Sequence, residues 1–394
     1  MPKNDFLRGW LPVFLLGLSS FIHVTSEFMP VGLLPDIARS IGETEAITGR
    51  LLTGYAWIVA LVSLPLTLLT AHMERRQLLV LLLCTFVLGN FLCGFAQSFY
   101  SLFACRLIIA FAHAVFWSVT PALAVRLAPK GKHNTGLAIV SGGAILATVL
   151  GVPVGTALGH HMGWRLTFIV ISALGVLILL LLRALLPRLA SSHAGSLRSL
   201  PSLFRNKTLV AAYVVTACLI TGNFTLFTYL VPFLTQVVGV AENNVSTTLF
   251  AFGAAGVVGV WIASVHSEKH LRRVLLGGGI FALLMLAAVS LLHFSFALVL
   301  ACLIGWSIAQ SMLGLAFQSW VLRLAPHATD AAISLYSGIF NLGIGSGALF
   351  GSLAMSGIGL PGLGYVGAVC AIPALVLLFF FAKTIPSPAE EIAS

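Results

Sequence analysis

Residues 25–35 read Thr-Ser-Glu-Phe-Met-Pro-Val-Gly-Leu-Leu-Pro, and they lie inside an apolar segment that runs from about Leu11 to Pro35. A segment of that length crosses the hydrocarbon core of a bilayer when it is helical. The chain has eleven Asp and Glu residues among 394, and Glu27 is the one that we place inside a membrane helix. A charge there costs roughly 3 kcal/mol on insertion scales. We therefore expect Glu27 to face a partner or a wet cavity and to serve function.

The composition of the whole chain indicates an integral membrane protein. Hydrophobic residues make up 59% of the chain and charged residues 8%, which excludes a soluble globular domain. The net charge is +10, but the basic residues fall in short loops rather than in one patch, so we exclude nucleic acid as a partner. The six cysteines all fall in apolar segments without a CxxC pair, which indicates neither disulfides nor metal ligands.

Twelve apolar segments are long enough to be membrane-spanning helices. Their approximate ranges are 11–35, 48–70, 77–97, 99–127, 134–158, 164–186, 208–236, 243–265, 274–292, 294–322, 331–356 and 364–384. If the N-terminus is cytoplasmic, seventeen of the 21 Lys and Arg residues fall on that side, three fall outside, and Arg106 lies in the membrane. This bias predicts that both termini are cytoplasmic.

The two halves of the chain repeat. Leu33-Leu34-Pro35 recurs as Leu230-Val231-Pro232, and residues 125–129 recur as residues 322–326, in both cases 197 residues later. A third match, of Ser141-Gly142 with Ser337-Gly338, has an offset of 196. Parallel repeats around a central site are typical of transporters.

A polar and basic stretch at residues 187–207 lies between the two repeats. Its small polar residues are typical of a linker. We therefore predict an N-terminal six-helix bundle at residues 1–186, a cytoplasmic linker at 187–207 and a C-terminal six-helix bundle at 208–394.

The twelve spans, the six-plus-six repeat and the basic central loop resemble the major facilitator superfamily. Within it, residues 25–34 are similar to the first-helix signature of the bacterial sugar-efflux transporters, in the drug/proton antiporter branch. Further motifs of that group are Tyr55-Ala56-Trp57, Glu74-Arg75-Arg76, the stretch Ala-Phe-Ala-His-Ala-Val-Phe-Trp-Ser at residues 110–118, and Ser-Gly-Ile-Phe-Asn at 337–341.

The resemblance implies an all-α integral membrane fold with twelve transmembrane helices in two pseudo-symmetric six-helix bundles. It also implies export of arabinose-like sugars and thiogalactoside analogues from the cytoplasm to the periplasm across the bacterial inner membrane, driven by protons. The expected partners are a small sugar, protons and the lipid bilayer, with no cofactor beyond the proton gradient and no metal. A protein of this group is expected to work as a monomer.

The resemblance places helices 1, 4, 7 and 10 around a central cavity. On the fourth helix, Arg106, His113 and Trp117 share one face, and on the first helix His23 lies one turn before Glu27. We predict that Glu27, Arg106 and His113 couple transport to protons. The predicted substrate-binding residues offer amide, hydroxyl or aromatic groups to a sugar, and they are His23, Trp117, Asn223, Tyr229, Trp306 and Gln310.

Counting along the helices predicts which of these groups meet. Glu27 lies roughly 24 Å from the cytoplasmic start of helix 1, and Arg106 lies roughly 10 Å from the periplasmic start of helix 4. Both depths fall in the outer half of the bilayer, so Glu27 and Arg106 are expected to meet or to approach each other through water, whereas His113 needs a longer reach to Glu27. We further expect Glu27 to point into a water-accessible crevice, where protonation weakens its hold on Arg106 or His113.

Other functions compete with sugar export. The alternative within transport is a multidrug or other small-metabolite exporter, whose pocket would carry more apolar and aromatic groups. An intramembrane enzyme needs a metal cluster or a nucleophile–base pair, and one Glu with two scattered His residues supplies no zinc set. Structural explanations also stay open, namely a static ion pair at Glu27 and polar residues that hold helices together.

Overall fold

The computed structural model describes residues 3–129, 132–189, 200–325 and 329–381. Within these ranges all regular structure is helical. Twelve of the described helical segments are long and apolar enough to cross a membrane. The predicted all-α fold with twelve spans is therefore confirmed.

The helices of the first half begin and end close to the predicted positions. They are α1 Lys3–Gly32, α2 Leu34–Ile41, α3 Glu45–Leu69, α4 Arg75–Cys93, α5 Phe99–Leu127, α6 His133–Leu146, α7 Val152–Met162 and α8 Trp164–Leu185. A π-helical turn, Ala147–Gly151, joins α6 to α7, so these two helices form one span.

The helices of the second half differ from the prediction in one place, at the end of the span 208–236. They are α9 Leu200–Arg205, α10 Lys207–Phe227, α11 Leu230–Pro232, α12 Glu242–Leu291, α13 Phe296–Leu324, α14 Thr329–Gly357 and α15 Leu363–Phe381. The predicted spans 243–265 and 274–292 both lie in α12, where non-helical angles at His270 (φ −136°, ψ 34°) separate two membrane-spanning segments, Glu242–Ser267 and His270–Leu291. The predicted span 208–236 breaks after α10, because Pro232 has no N–H to donate to the carbonyl four residues earlier.

The internal repeat is visible in the bounds of the helices. Helices α5 and α13 both contain 29 residues, and α13 begins and ends 197 residues after α5 (99 to 296, and 127 to 324). Leu33 (φ −108°, ψ 13°) and Tyr229 (φ −112°, ψ 22°) interrupt the helix in the same way. In each case a proline lies two or three residues further on, in the first turn of the next helix, where a missing N–H is tolerated.

Packing divides the chain into two compact units. The first contains Met1–Glu43 and Leu61–Ala194, and the second contains Thr44–Ala60 and Gly195–Ser394. The early turns of α3 belong to the second unit, where Arg50 Nε donates to Ser352 Oγ at 2.9 Å. Residues 190–199 of the predicted linker lie outside the described residues, and the division into bundles at 1–186 and 208–394 stays a prediction.

Glu74 fixes the loop between α3 and α4 in the first unit. Its carboxylate caps α4 by accepting from the N–H groups of Arg76 (2.9 Å) and Gln77 (3.1 Å), and it also accepts from the N–H of Leu189 at 2.7 Å. Burial raises the pKa of Glu74, but these backbone N–H groups and the charge of Arg76 lower it by more, so this pKa lies below its ordinary value. The carboxylate thereby ties α4 to the chain that follows α8.

Close packing between α1 and α7 holds the region around residue 27 in place. A Cβ atom at Gly151 would overlap the Thr25 hydroxyl, and one at Gly32 would overlap the Thr156 hydroxyl. Only glycine lets the helices approach this closely, as is common between membrane helices. The segment of α1 that contains Glu27 is therefore fixed at both of its ends.

Candidate functional site

The centre of the first unit holds a buried group of polar side chains, here called the Glu27 cluster, which consists of Glu27, His113, Arg106 and His23. His113 Nε2 lies 3.5 Å from Glu27 Oε2, and their side chains are 2% and 5% exposed. Arg106 and His23 are also buried. The predicted proton-coupling residues are thus brought together in one place, and His23 joins them.

Arg106 binds the backbone of α1. Its guanidinium donates to the carbonyl of Ser26 at 2.6 Å and to the carbonyl of Glu27 at 3.1 Å. In an α-helix the Ser26 carbonyl would accept from the N–H of residue 30, but residue 30 is proline and has none. Arg106 therefore supplies the donor that Pro30 removes. The sequence signal for this contact is a proline four residues after Ser26. The proline shows that the Ser26 carbonyl lacks a donor, but residue spacing does not show that the donor comes from α5.

His113 reaches the Glu27 carboxylate, so the prediction that it lies too deep for an easy contact is wrong. Side chains of a helix lean towards the N-terminus of that helix. Because two membrane spans, α3 and α4, lie between α1 and α5 in the chain, α1 and α5 run in opposite directions. The side chains of Glu27 and His113 consequently lean towards each other, whereas the carbonyls of α1 point the other way, towards Arg106.

Two residues outside the predicted set support the same part of α1. The Ser26 hydroxyl donates to Asn90 Oδ1 at 2.7 Å, and Asn90 Nδ2 donates to the Phe86 carbonyl at 2.9 Å. Both polar side chains are fully buried. Asn90 is a polar residue in the last turn of an otherwise apolar helix, which is the signal that could have identified it from the sequence.

His23 lies between two aromatic rings. Its ring centroid is 4.2 Å from that of Phe86 and 4.0 Å from that of Phe116, with interplanar angles of 28° and 8°. Nδ1 lies 2.8 Å from the carbonyl of Ser19, so Nδ1 carries the proton in this contact. Nε2 has no hydrogen-bond partner among the described residues. A role for His23 in substrate binding stays a prediction, and it requires this stack to open.

Trp117 extends the same face of α5 beyond the Glu27 cluster. Its ring centroid lies 6.1 Å from that of His113 and 5.6 Å from that of Phe116. The side chain is half-buried, whereas His113 is almost fully buried. The predicted stripe on α5 thus ends at a residue that retains an exposed surface.

In the second unit, the candidate binding residues of α10 and α13 contact each other. Trp306 Nε1 donates to Asn223 Oδ1 at 2.8 Å, and both side chains are buried. The Trp306 ring also contacts Phe227 and Phe252, with centroid distances of 6.4 and 5.2 Å. One turn further along α13, Gln310 Oε1 is buried and has no hydrogen-bond partner among the described residues. These groups combine aromatic faces with an amide oxygen that is available as an acceptor.

Tyr229 lies at the break between α10 and α11, and its side chain packs against neighbouring helices. The side chain is fully buried, and its hydroxyl donates to the carbonyl of Ala348 at 2.9 Å and lies 3.4 Å from that of Ala46. A Cβ at Gly49 or Gly351 would overlap the ring. These contacts join α3, α10 and α14 within the second unit, and a role for Tyr229 in substrate binding stays a prediction.

No further chemistry is suggested by clusters of potential metal ligands. Among the residues that the structure describes, no three His, Cys, Asp or Glu side chains are arranged to hold a metal ion. The Glu27 cluster itself offers a carboxylate, two imidazoles and a guanidinium.

Comparison with known proteins places this architecture in a family. The sequence model of the Major Facilitator Superfamily matches residues 16–336. A solved structure of a bacterial homologue of the human lysosomal transporter Spinster, inward-facing and occupied, superposes with a TM-score of 0.81 at 18% identity, covering 98% of this chain and 99% of that one. An inward-facing and unoccupied structure of such a homologue gives 0.76 at 16% identity, with the same coverage. At these identities the likeness concerns the fold. The chain belongs to the Major Facilitator Superfamily and is a multi-pass membrane transporter.

Proposed function

We propose that this transporter exports sugars, of the class of arabinose and thiogalactoside analogues, in exchange for protons. Transport runs from the cytoplasm to the periplasm of a bacterium by alternating access, with both termini cytoplasmic and the monomer as the working unit. The observation that carries the proposal is the distance of 3.5 Å between the Glu27 carboxylate and the His113 imidazole in the interior of two membrane-spanning helices. The other acidic residues of the described spans, Glu45 and Glu242, lie at helix ends.

The charges of the Glu27 cluster explain how a proton acts on it. Arg106 carries a permanent positive charge, and it is attached to the backbone of α1 rather than to solvent. Protonation of Glu27 removes the negative charge of the cluster, so its contact with the His113 imidazole loses the strength of a charge-assisted interaction. The contact between α1 and α5 is therefore weaker in the protonated state, which is the kind of bias that shifts a conformational equilibrium.

Proton access to Glu27 requires a change of conformation. The sequence led us to expect a water-accessible crevice, but the Glu27 side chain is 5% exposed in the structure. The proposal therefore includes a second state in which the Glu27 cluster meets water.

The second unit contains groups that suit a substrate with polar groups and one flat apolar face. Gln310 offers a buried carbonyl oxygen, and the indole of Trp306 offers an aromatic surface. Sugars need hydrogen-bond partners for their hydroxyl groups and an apolar surface for their C–H face. The assignment to arabinose-like sugars and thiogalactosides comes from the similarity of residues 25–34 to the sugar-efflux group.

Uptake into inverted membrane vesicles tests the proposal, because the lumen of such vesicles corresponds to the periplasm. An acidic lumen is expected to drive accumulation of labelled arabinose or thiogalactoside. Glu27→Gln should abolish this accumulation and preserve exchange of labelled for unlabelled sugar. Glu43→Gln is the matched control, since it makes the same change outside the spans and should behave as the wild type. Coupling through Glu27 is refuted if Glu27→Gln vesicles still concentrate sugar on an imposed pH gradient.

A second candidate, export of hydrophobic drugs, is favoured by one observation. Phe227, Phe252 and Trp306 form a continuous aromatic group in the second unit, with Phe227 and Phe252 5.6 Å apart. Apolar and aromatic lining is typical of sites for drug-sized ligands. The growth of cells that lack the transporter distinguishes the two functions. Sensitivity to sugar analogues supports sugar export, and sensitivity to lipophilic antibiotics supports drug export.

A further inference from the structure

The second unit carries a groove of about 330 Å³ between the later part of α12 and α15. All of its lining residues are apolar, and they are Leu276, Ile280, Leu375, Val376, Phe379 and Phe380. Both helices belong to membrane-spanning segments, His270–Leu291 and Leu360–Phe381. The groove is therefore a feature of a surface that lies in the bilayer.

The floor of the groove is packed and its walls are exposed. A Cβ at Gly279 would lie 2.7 Å from Leu375, so the glycine lets α12 approach α15 closely. Leu276 and Leu375 pack against the hydrophobic core. The walls project outward, with Phe379 60% exposed and Phe380 67% exposed. An extended hydrocarbon chain suits a narrow apolar groove of this kind.

Two arginines lie one helical turn before the groove. Arg272 is four residues before Leu276, and Arg273 is seven residues before Ile280, so both share the face of α12 that forms the groove. Both residues are exposed. Among the residues whose side chains the structure describes, which do not include Glu268, no carboxylate lies within ion-pair distance of either guanidinium. Their charges are thus available to an anion at the end of the groove.

The depth of the groove matches one leaflet. Counted from His270, where the span begins, Leu276 lies roughly 9 Å and Ile280 roughly 15 Å along the helix axis. The hydrocarbon core is about 30 Å thick, so the groove ends near its middle. The arginines lie at the surface of the same leaflet, which the distribution of basic residues predicts to be cytoplasmic.

We propose that this groove binds an anionic phospholipid. One acyl chain lies along Leu276 and Ile280, and the headgroup phosphate accepts hydrogen bonds from Arg272 and Arg273. If the arginines served only as a positive-inside signal, they would not need an apolar groove beside them. If the groove were only an ordinary lipid-facing surface, it would not need the arginines. The alignment of both on one helix face, within one leaflet, indicates a site. The proposal does not depend on which solute is transported.

Native mass spectrometry of the purified full-length chain tests the charged end of the site. The protein is titrated with phosphatidylglycerol or with zwitterionic phosphatidylcholine of the same acyl chains. Arg272→Gln/Arg273→Gln is expected to weaken phosphatidylglycerol binding roughly thirtyfold, at about fivefold for each arginine. Arg205→Gln/Lys207→Gln is the matched control, because it removes two exposed charges from the same unit and the same predicted side. Equal losses in both variants, or none in either, would overturn the proposal.

A second pair of variants tests the apolar part of the site. Val376→Trp fills the groove with a bulky apolar side chain and is expected to displace phosphatidylglycerol. Val369→Trp makes the same change two turns away on the same face of α15, where the side chain is similarly exposed at 62% against 50%. This control should retain the lipid. Retention by both tryptophan variants, or equal binding of the two lipids by the wild type, contradicts the site.

Discussion

Replacing Arg106 with Met tests whether this residue compensates for Pro30. The guanidinium lies 2.6 Å from the Ser26 carbonyl, a short distance that is typical of a charge-assisted hydrogen bond. The substitution leaves that carbonyl buried and without its donor. Pro30→Ala provides a backbone N–H for the same carbonyl, so the cost of losing Arg106 should be smaller in the Pro30→Ala background.

The expected size of this coupling follows from the hydrogen bond. Bonds to charged groups contribute about 1.5–3 kcal/mol in soluble proteins, whereas measured cycles in membrane proteins reach about 1.7 kcal/mol at most. We therefore expect a coupling free energy of about 1.5 kcal/mol, or roughly tenfold in the unfolding equilibrium. The total loss in Arg106→Met will be larger, because the positive charge beside Glu27 is lost as well.

A double-mutant cycle measures this coupling. The free energy of unfolding in mixed detergent micelles is compared among the wild type, Arg106→Met, Pro30→Ala and the double variant. Pro12→Ala is the control, because it removes another proline inside α1 but should show no coupling to Arg106. Additivity of Arg106→Met and Pro30→Ala to within about 0.5 kcal/mol would refute the explanation.

Three further predictions concern other contacts. Glu74→Gln should destabilise the protein by about 1 kcal/mol at neutral pH, because the cap of α4 and the bond from Leu189 weaken. Folding lowers the pKa of Glu74. The difference in the free energy of unfolding between Glu74→Gln and the wild type should therefore be constant above about pH 4.3, the ordinary pKa of Glu, and disappear as the pH falls through the lowered pKa of the folded state. Trp306→Phe should leave Asn223 Oδ1 without its donor, and sugar uptake should show a higher KM with little change in protein abundance. Gln310→Leu removes a buried oxygen that has no described partner, so it should preserve thermal stability, and its KM for sugar should rise if that oxygen binds substrate.

The fold was predictable because the length of the apolar segments and the placement of basic residues in the loops between them both indicate where the chain crosses the membrane. The sequence also identified Glu27, Arg106 and His113, because ionisable residues are rare in these spans and therefore conspicuous. It predicted that Glu27 and Arg106 meet, but not that Arg106 binds backbone carbonyls or that His113 reaches the Glu27 carboxylate. The partner of Arg106 is a backbone carbonyl, and a carbonyl has no signature in the residue pattern. The lean of the side chains, which brings His113 to Glu27, changes depth by several ångströms without changing residue spacing.

The two partners that α5 offers to α1, Arg106 and His113, differ in a way that bears on the proposed coupling. Arg106 is bound to carbonyls of Ser26 and Glu27, and a carbonyl accepts hydrogen bonds whether or not the Glu27 side chain is protonated. His113 meets the carboxylate itself, so this contact changes when the proton arrives. Under the proposed function, protonation therefore loosens α5 from α1 at His113 while the helices stay joined two turns away at Arg106. The guanidinium then serves as a fixed point, and the part of α5 that carries His113 and Trp117 is the part that responds.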